Sequence, residues 1–492
     1  MQSRSAVFSW HDNRASVIVP ALAILIGIAL RFVMLGLDIR FHPDEALFAA
    51  QARLISHQGD LLLRDTDLDK PPLTFYVTAL SFRVLGPTEF AARLPNVLFS
   101  DLGLVLVYAL AWSLYRDQIT AALAVWLLAL SPYDLAFAAT AFTDIQATFW
   151  VLAAAWLAVH DRWTAAGIAA ALIFAAKSNA LIMLPLIAAL GIAHNARPDW
   201  RSRDIYARLG RLMWPLALGA GLLILWDMGR TPRSFFDLGY TRNNPGRLIR
   251  ADELWPRLER WTHWLGFITG SRLLNVFLLA VGPVQLAVGV LRARSREIVT
   301  GWVMAGFGLA FVAWHWLIAF NTYDRYLHLL APFLVLLAAR LLTGTWRALG
   351  SHPGVLIALV ILVVTMIPAV TNTLRGDAAI GGDQGHHTGI DRLADYLNTR
   401  LSGEIVYDHW LGWELAYYLG ESPQVITLYA PLPEALAEDM AQQSYPRYFA
   451  APSPQLAALW LDALRRSGVE TSIIYHDTAN HFVIYRLAAQ NR

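Results

Sequence analysis

Apolar residues come in eleven long runs, at 16–37, 94–115, 119–137, 145–159, 163–177, 179–195, 212–228, 271–291, 298–320, 327–342 and 353–371. At 1.5 Å per helical residue, about 20 residues cross a hydrocarbon layer roughly 30 Å thick, so each run is read as a membrane span. Arginines gather at alternate junctions: Arg14, Arg116, Arg162, the cluster at 197–211, Arg292 with Arg294 and Arg296, and Arg340 with Arg347. The cytoplasmic bias of basic residues puts all of these on one side. The N-terminus is then cytoplasmic, and eleven crossings leave the C-terminus outside. No small-x-small cleavage pattern follows the first run, so it reads as an uncleaved span.

Three segments depart from this pattern. "PPLTFYVTALSFRVLG" (71–86) is apolar but short and holds Arg83. Counted as a span it would put the 197–211 arginines outside, so it is expected to lie along the outer membrane surface. Residues 44–58 are expected to form another surface helix, with Ala46, Leu47, Ala50, Leu54 and Ile55 as its apolar stripe. The outer loop 229–270 carries Arg230, Arg233, Arg242, Arg247, Arg250, Arg257 and Arg260. Its length weakens the charge rule, and its arginines fit either a solvated face or an anionic ligand.

After residue 372 the periodicity shortens. "GEIVYDHW", "PQVITLY" and "TSIIYHDTANHFVIYRL" read as β-strands, while "LGWELAYYLG" and "PQLAALWLDALRRSG" have helical spacing. The expected organisation is a mainly α, polytopic helix bundle over 1–371, with a large first outer loop at 38–93 carrying surface helices. An extracytoplasmic α/β domain over 372–492 follows.

Composition narrows the class. Hydrophobic residues make up 56% of the 492 and charged residues 15%, against roughly 25% charged in soluble domains. A net charge of +2 gives no reason to expect nucleic acid, and the absence of cysteine excludes thiolate and iron–sulfur chemistry. No Walker or GxGxxG loop is present, so neither a nucleotide nor a redox cofactor is expected. Only two of the 39 basic residues are lysines, Lys70 and Lys177.

With this topology Asp44, Glu45, Asp69, Lys70, Asp144, Lys177, Asp324 and Arg325 all fall on the outer side. Singly, each has an ordinary explanation. Pro43–Asp44–Glu45 is a common helix start, Asp144 fits a helix cap, Lys70 a snorkelling anchor and Asp324–Arg325 an interfacial ion pair. Together, a one-sided set of carboxylates and cations suits an anionic lipid headgroup that meets a polar acceptor. A compact ammonium at two chosen places fits phosphate.

These residues carry a resemblance. "HPDEALFAAQARLI", "DKPPLTFYVTALSFRVLG" and "AARLPN", in that order over 41–96, resemble the first outer loop of bacterial GT-C glycosyltransferases of the protein O-mannosyltransferase and lipid A aminoarabinose-transferase type. Asp144 in "TD", Lys177 in "AK", and Arg325–Tyr326 ahead of Pro332 resemble later elements of that family, over about 16–345. Nothing specific is recognised in the C-terminal domain.

The resemblance implies a GT-C fold in the cytoplasmic (inner) membrane, a polyprenyl-phosphate-linked sugar donor, an acceptor on the outer side and inversion at the anomeric carbon. Asp44 would be the general base, with Glu45 orienting it or sharing a metal with it, and Asp144 would position the base or bind a sugar hydroxyl. Lys70, Arg325 and Lys177 would stabilise the departing phosphate, with Tyr326 and Asp69 in the substrate site. The acidic pair leaves a divalent cation, Mg²⁺ or Mn²⁺, open. Zinc is not expected: some relatives have Glu where this chain has Asp69, and His263 would be its lone tryptophan-flanked partner. The competing reading is a transporter or flippase of an anionic lipid-linked saccharide, without covalent chemistry.

Overall fold

The computed structural model describes residues 15–64, 66–197, 199–230, 234–243, 246–292, 296–479 and 481–489; Arg14, Arg233 and Arg294 lie outside these. Two compact units form. One comprises Met1–Leu37 and Leu54–Gly381, the other Asp38–Arg53 and Gly382–Arg492. Residues 372–381 thus stay with the first unit and 38–53 go with the second, which differs from the boundary expected at 371/372.

The first unit is built of helices. All eleven apolar runs are helical, but among the described residues seven helices are long and apolar enough to cross a membrane, or eight if a bent pair counts as one. This is a multi-pass membrane protein. Three of the eleven expected spans fall short of that length or apolarity. Thr143–Val159 and Trp163–Ala176, with 17 and 14 residues, extend only about 26 and 21 Å. Ala331–Ala348 carries Arg340 and Arg347 within its 18 residues. The bent pair is Gln118–Ala129 and Pro132–Ala138, which turn through 56°. Pro132 has no amide N–H to continue the first helix and starts the second. There the Ser131 hydroxyl accepts from Asp134 N at 3.3 Å and donates to Ile268 O at 2.7 Å.

The 71–86 run becomes the helix Leu73–Leu85, whose 13 residues are too short for a span. Phe75, Ala79 and Phe82 are buried, while Leu80, Val84 and Leu85 are exposed. In the 229–270 loop the arginines mainly hold structure. Arg257 donates to four carbonyls at the end of Arg296–Leu317 and just beyond it: His315 (2.9 Å), Trp316 (3.2 Å), Ile318 (2.7 Å) and Phe320 (2.8 Å). The first two are among the groups a helix C-terminus leaves unsatisfied. Arg230 donates to the carbonyls of Leu63 and Thr66, Arg260 to the Thr322 hydroxyl, and Arg247 pairs with Glu253.

The second unit contains a five-stranded sheet: β1 Ile405–Asp408, β2 Ile426–Tyr429, β3 Arg447–Ala451, β4 Val469–His476 and β5 Val483–Ala489. The order is β2-β1-β3-β5-β4, parallel from β2 to β3 and antiparallel beyond. Alternation along the strands feeds two cores. Tyr407, Phe449 and Tyr485 pack with Leu436, Met440 and Trp460 on one face; Val406, Ala450 and Ile484 pack with Leu393, Leu397 and Leu415 on the other. β3, whose "RYFAA" is short, and the helices Ile390–Arg400 and Pro433–Ala441 are additions to the sequence reading.

Residues 44–58 are helical as expected, as Pro43–His57. The expected apolar stripe is corrected. Ala46 and Ile55 are buried, but Leu47, Ala50 and Leu54 are only half-buried, while Glu45, Phe48, Ala49, Ala52 and Arg53 are buried. Two of those buried positions are charged and use hydrogen bonds, which an apolar stripe does not register.

Candidate active site

In the first unit the charged residues converge on Lys177. This residue stands in extended backbone between Trp163–Ala176 and the 3-10 turn Ser178–Met183. Its ammonium pairs with the carboxylate of Asp144 in the first turn of Thr143–Val159, and both side chains are sealed from solvent. The cap residue there, Phe142, has no side-chain cap, so Asp144 serves the ion pair rather than the helix end. The Tyr326 ring lies 5.2 Å from the Lys177 ammonium, and Arg325 and Lys70 are close enough to repel it. Two cations thus bear on a third, although Lys177 is itself paired with Asp144 and Lys70 with Asp69.

Arg325 is carried by the 3-10 turn Asp324–Leu329. Its guanidinium lies over the rings of Phe142 (4.7 Å) and Tyr323 (4.8 Å). The Asp324 carboxylate accepts from the Arg325 amide at 2.8 Å and from the Gly381 amide at 3.0 Å, so the turn is tied at its start. Lys70 pairs with Asp69 at 2.7 Å. Gly239 packs against that step: a Cβ there would lie 2.9 Å from the Asp69 carbonyl oxygen.

Several positioning residues were not singled out in the sequence. Asn96, in "RLPN", donates to the carbonyls of Thr140 and Phe142 at 2.7 Å each and accepts from Gln146 at 3.1 Å. It fixes the segment leading into Asp144. One turn after Asp144, Thr148 Oγ1 lies 2.8 Å from Nδ1 of His328, on the turn that carries Arg325. His328 Nε2 lies 3.3 Å from Asp134, which pairs with Arg31 and accepts from Ser100 at 3.0 Å. Arg31, Asp101 and Asp134 interrupt apolar runs, and an ionisable residue inside a span is the signal that could have found them.

In the second unit Asp44 and Glu45 occupy the first turn of Pro43–His57. Glu45 is fully buried and its carboxylate accepts from the His42 amide at 3.1 Å; the Asp44 amide donates to the His42 ring at 3.1 Å. This is the reciprocal pattern of a capping box, so Glu45 has a local task at the helix start. Asp44 keeps partial exposure. No group of three or more His, Cys, Asp or Glu arranged to hold a metal occurs among the described residues, and His263 is exposed with its ring edge-on to Phe267 at 5.1 Å.

The chain superposes on crystallised ArnT from Cupriavidus metallidurans bound to undecaprenyl phosphate with a TM-score of 0.64 at 14% identity, covering 95% of this chain and 97% of that one. The chain thus shares the fold of that ArnT. The resemblance drawn from the first loop is thereby borne out. A second structure, the Archaeoglobus fulgidus oligosaccharyltransferase in complex with zinc and sulfate, matches with a TM-score of 0.54 at 14% identity over 94% of this chain and 72% of that one. The family model for dolichyl-phosphate-mannose-protein mannosyltransferase matches residues 69–218, which include Lys70, Asp144 and Lys177. An undecaprenyl phosphate-alpha-4-amino-4-deoxy-L-arabinose arabinosyl transferase of Pseudomonas aeruginosa (strain LESB58) is 30% identical over 206 residues, 37% of each chain. The matched stretch thus spans little more than a third of that relative's length.

Proposed function

We propose that this GT-C chain is a membrane glycosyltransferase that moves a sugar from a polyprenyl-phosphate-linked donor to an acceptor on the outer face of the cytoplasmic membrane, with inversion. The observation that carries the reading is the sealed Asp144–Lys177 pair beside Arg325 and Tyr326. Burying such a pair is expensive, and a helix bundle gains little stability by it over an apolar contact. The names of its relatives support a polyprenyl-phosphate-linked donor.

Each group then has a task. A sugar-acceptor hydroxyl is a poor nucleophile at neutral pH, and the Asp44 carboxylate takes its proton as it attacks the anomeric carbon. The bond to the phosphate oxygen breaks and the departing polyprenyl phosphate gains charge. Lys70 and Arg325 neutralise that charge, while Lys177 contributes through its pairing with Asp144. Glu45 holds the helix start that carries Asp44. The N-terminus is assigned to the cytoplasm, and the C-terminal α/β unit to the outer side. Reporters fused at 116 and within 197–211 should read cytoplasmic, and those at 66 and 400 external; a cytoplasmic reading at 400 overturns this topology.

The deciding experiment is release of free polyprenyl phosphate from a polyprenyl-phospho-sugar by the purified protein in lipid nanodiscs, with and without candidate hydroxyl acceptors. Acceptor-dependent release is expected. In proteoliposomes, donor translocation without release would favour the flippase reading.

A further inference from the structure

The acidic pair has a seat. Within the second unit, the stretch bearing Asp44 and Glu45 is attached to the helix Gly412–Tyr418 at two points, one on each side of the pair. Before the pair, the fully buried Phe41 donates its backbone N–H to the Tyr418 hydroxyl at 2.9 Å, and its ring meets Tyr417 edge-on at 4.8 Å. After the pair, the buried Arg53 donates to the carbonyls of Tyr417 at 2.7 Å and Ala416 at 2.6 Å, with its guanidinium 5.2 Å from the Tyr417 ring. Those carbonyls belong to the last turn of Gly412–Tyr418, where a helix carries partial negative charge; the Tyr417 carbonyl also accepts from the Gly420 amide at 3.1 Å. A guanidinium with its donors in a fixed fork reaches both carbonyls at once and fixes an angle as well as a distance.

The two attachments are twelve residues apart in sequence, and most of that length is rigid helix. Fixing a helix at both sides of its first turn removes sliding and rotation together. The other end of Gly412–Tyr418 is held too: Glu414 lies 3.0 Å from His387 Nε2, and His387 Nδ1 bonds Asp383 at 2.5 Å.

We infer that the C-terminal α/β unit positions Asp44, with Arg53, Phe41, Tyr417 and Tyr418 as positioning residues that set where the carboxylate points without touching substrate. This rests on the proposed role of Asp44 as base. It assigns the C-terminal unit a part in the transfer step, and it separates two kinds of defect. Donor phosphate is met by Lys70 and Arg325 in the first unit, so loosening the seat should slow turnover and spare donor binding.

The test uses the full chain in lipid nanodiscs, with Arg53→Met, Arg53→Lys and Tyr418→Phe. Arg53→Met should lower kcat about 10- to 100-fold, the range for a misplaced reacting group, with donor KM within about twofold of the parent. Arg53→Lys should recover part of the loss, because an ammonium still donates to the two carbonyls. Amide exchange across 44–53 should speed up, while exchange in β1, β3 and β5 stays unchanged and reports an intact unit. Should Arg53→Met fail to fold, Tyr418→Phe, which removes one hydroxyl, carries the test with the same expected split. A loss confined to donor KM, or unchanged kcat with unchanged exchange, overturns the inference. If the parent itself transfers nothing, the enzyme reading fails, and exchange across 44–53 alone then supports or overturns the seat.

Discussion

Lys177 and Asp144 form an ion pair with side-chain exposures of 3% and 1%. Removing either member strands a charge in a dry site, so Asp144→Asn or Lys177→Met alone should destabilise the protein by roughly 3–5 kcal/mol. The double variant should recover much of that stability, because no unpaired charge remains. Thermal unfolding in detergent measures this. Polyprenyl phosphate release should be lost in all three variants; a double variant that still transfers would reduce the pair to a structural contact.

Asp44→Asn is nearly isosteric but cannot accept a proton. Turnover should fall by about 10²–10⁴, with donor binding and melting temperature close to those of the parent. Glu45→Gln separates capping from metal binding. As a capping residue Glu45 is worth about 1 kcal/mol, so the variant should melt earlier and keep most of its turnover. A turnover defect repaired by added Mg²⁺ or Mn²⁺ would instead locate a cation at the pair.

Gly239→Ala tests the footing of Lys70. The new methyl group would meet the Asp69 carbonyl at 2.9 Å, so the 69–70 step must shift. Donor KM should rise, as it should for Lys70→Ala, and Lys70→Arg should restore only part of the affinity because a planar guanidinium projects its donors differently. An unchanged donor KM in both Gly239→Ala and Lys70→Ala would remove Lys70 from phosphate binding.

The C-terminal unit should be steadier in mild acid than in mild base. Burial pushes Glu414 up to about 7 and Asp408 up to about 6. Burial alone would lower His387, but its bond to Asp383 and the nearby Glu414 raise it overall. Each of these groups binds its proton more tightly folded than unfolded. The stability they contribute is therefore present at low pH and lost as pH rises through their folded values, at up to about 1.4 kcal/mol per pH unit for each proton. Exchange protection of β1 and β3 should fall between pH 5.5 and 8. Glu414→Gln, which keeps the shape and cannot ionise, should flatten that slope; an equally steep slope in the variant would exclude Glu414 as its source.

What could be read from the sequence follows from how local each signal is. Apolar runs, the Leu73–Leu85 surface helix and four of the five strands show themselves in periodicity, which needs only neighbours. β3 was missed because "RYFAA" is short and offers little alternation. The reading brought Asp144, Lys177, Arg325 and Lys70 to one side of the membrane, yet could not show that Lys177 is held by Asp144, since their pairing spans 33 residues and depends on how helices pack. The loop arginines misled for a similar reason: Arg257 looks like surface charge until the carbonyls of a distant helix end are seen around it. Apolarity alone reports burial in protein as readily as burial in lipid. Thr143–Val159, with 17 residues, is largely enclosed by other helices.

Arg31 also sets an order of assembly. It lies in the first helix, while Ser100 and Asp134, which receive its side chain, are made 69 and 103 residues later. Until then the nascent first helix holds a guanidinium without those partners, one turn from the end of Ala15–Leu35, at a cost below the roughly 2.5–3.5 kcal/mol of a charge at a helix centre. At roughly 5–20 residues per second, the interval before Asp134 is synthesised lasts about 5–20 s. During that time the helix must stay beside the insertion machinery or snorkel toward an interface. Its final polar contacts therefore wait for a residue that the ribosome has yet to reach.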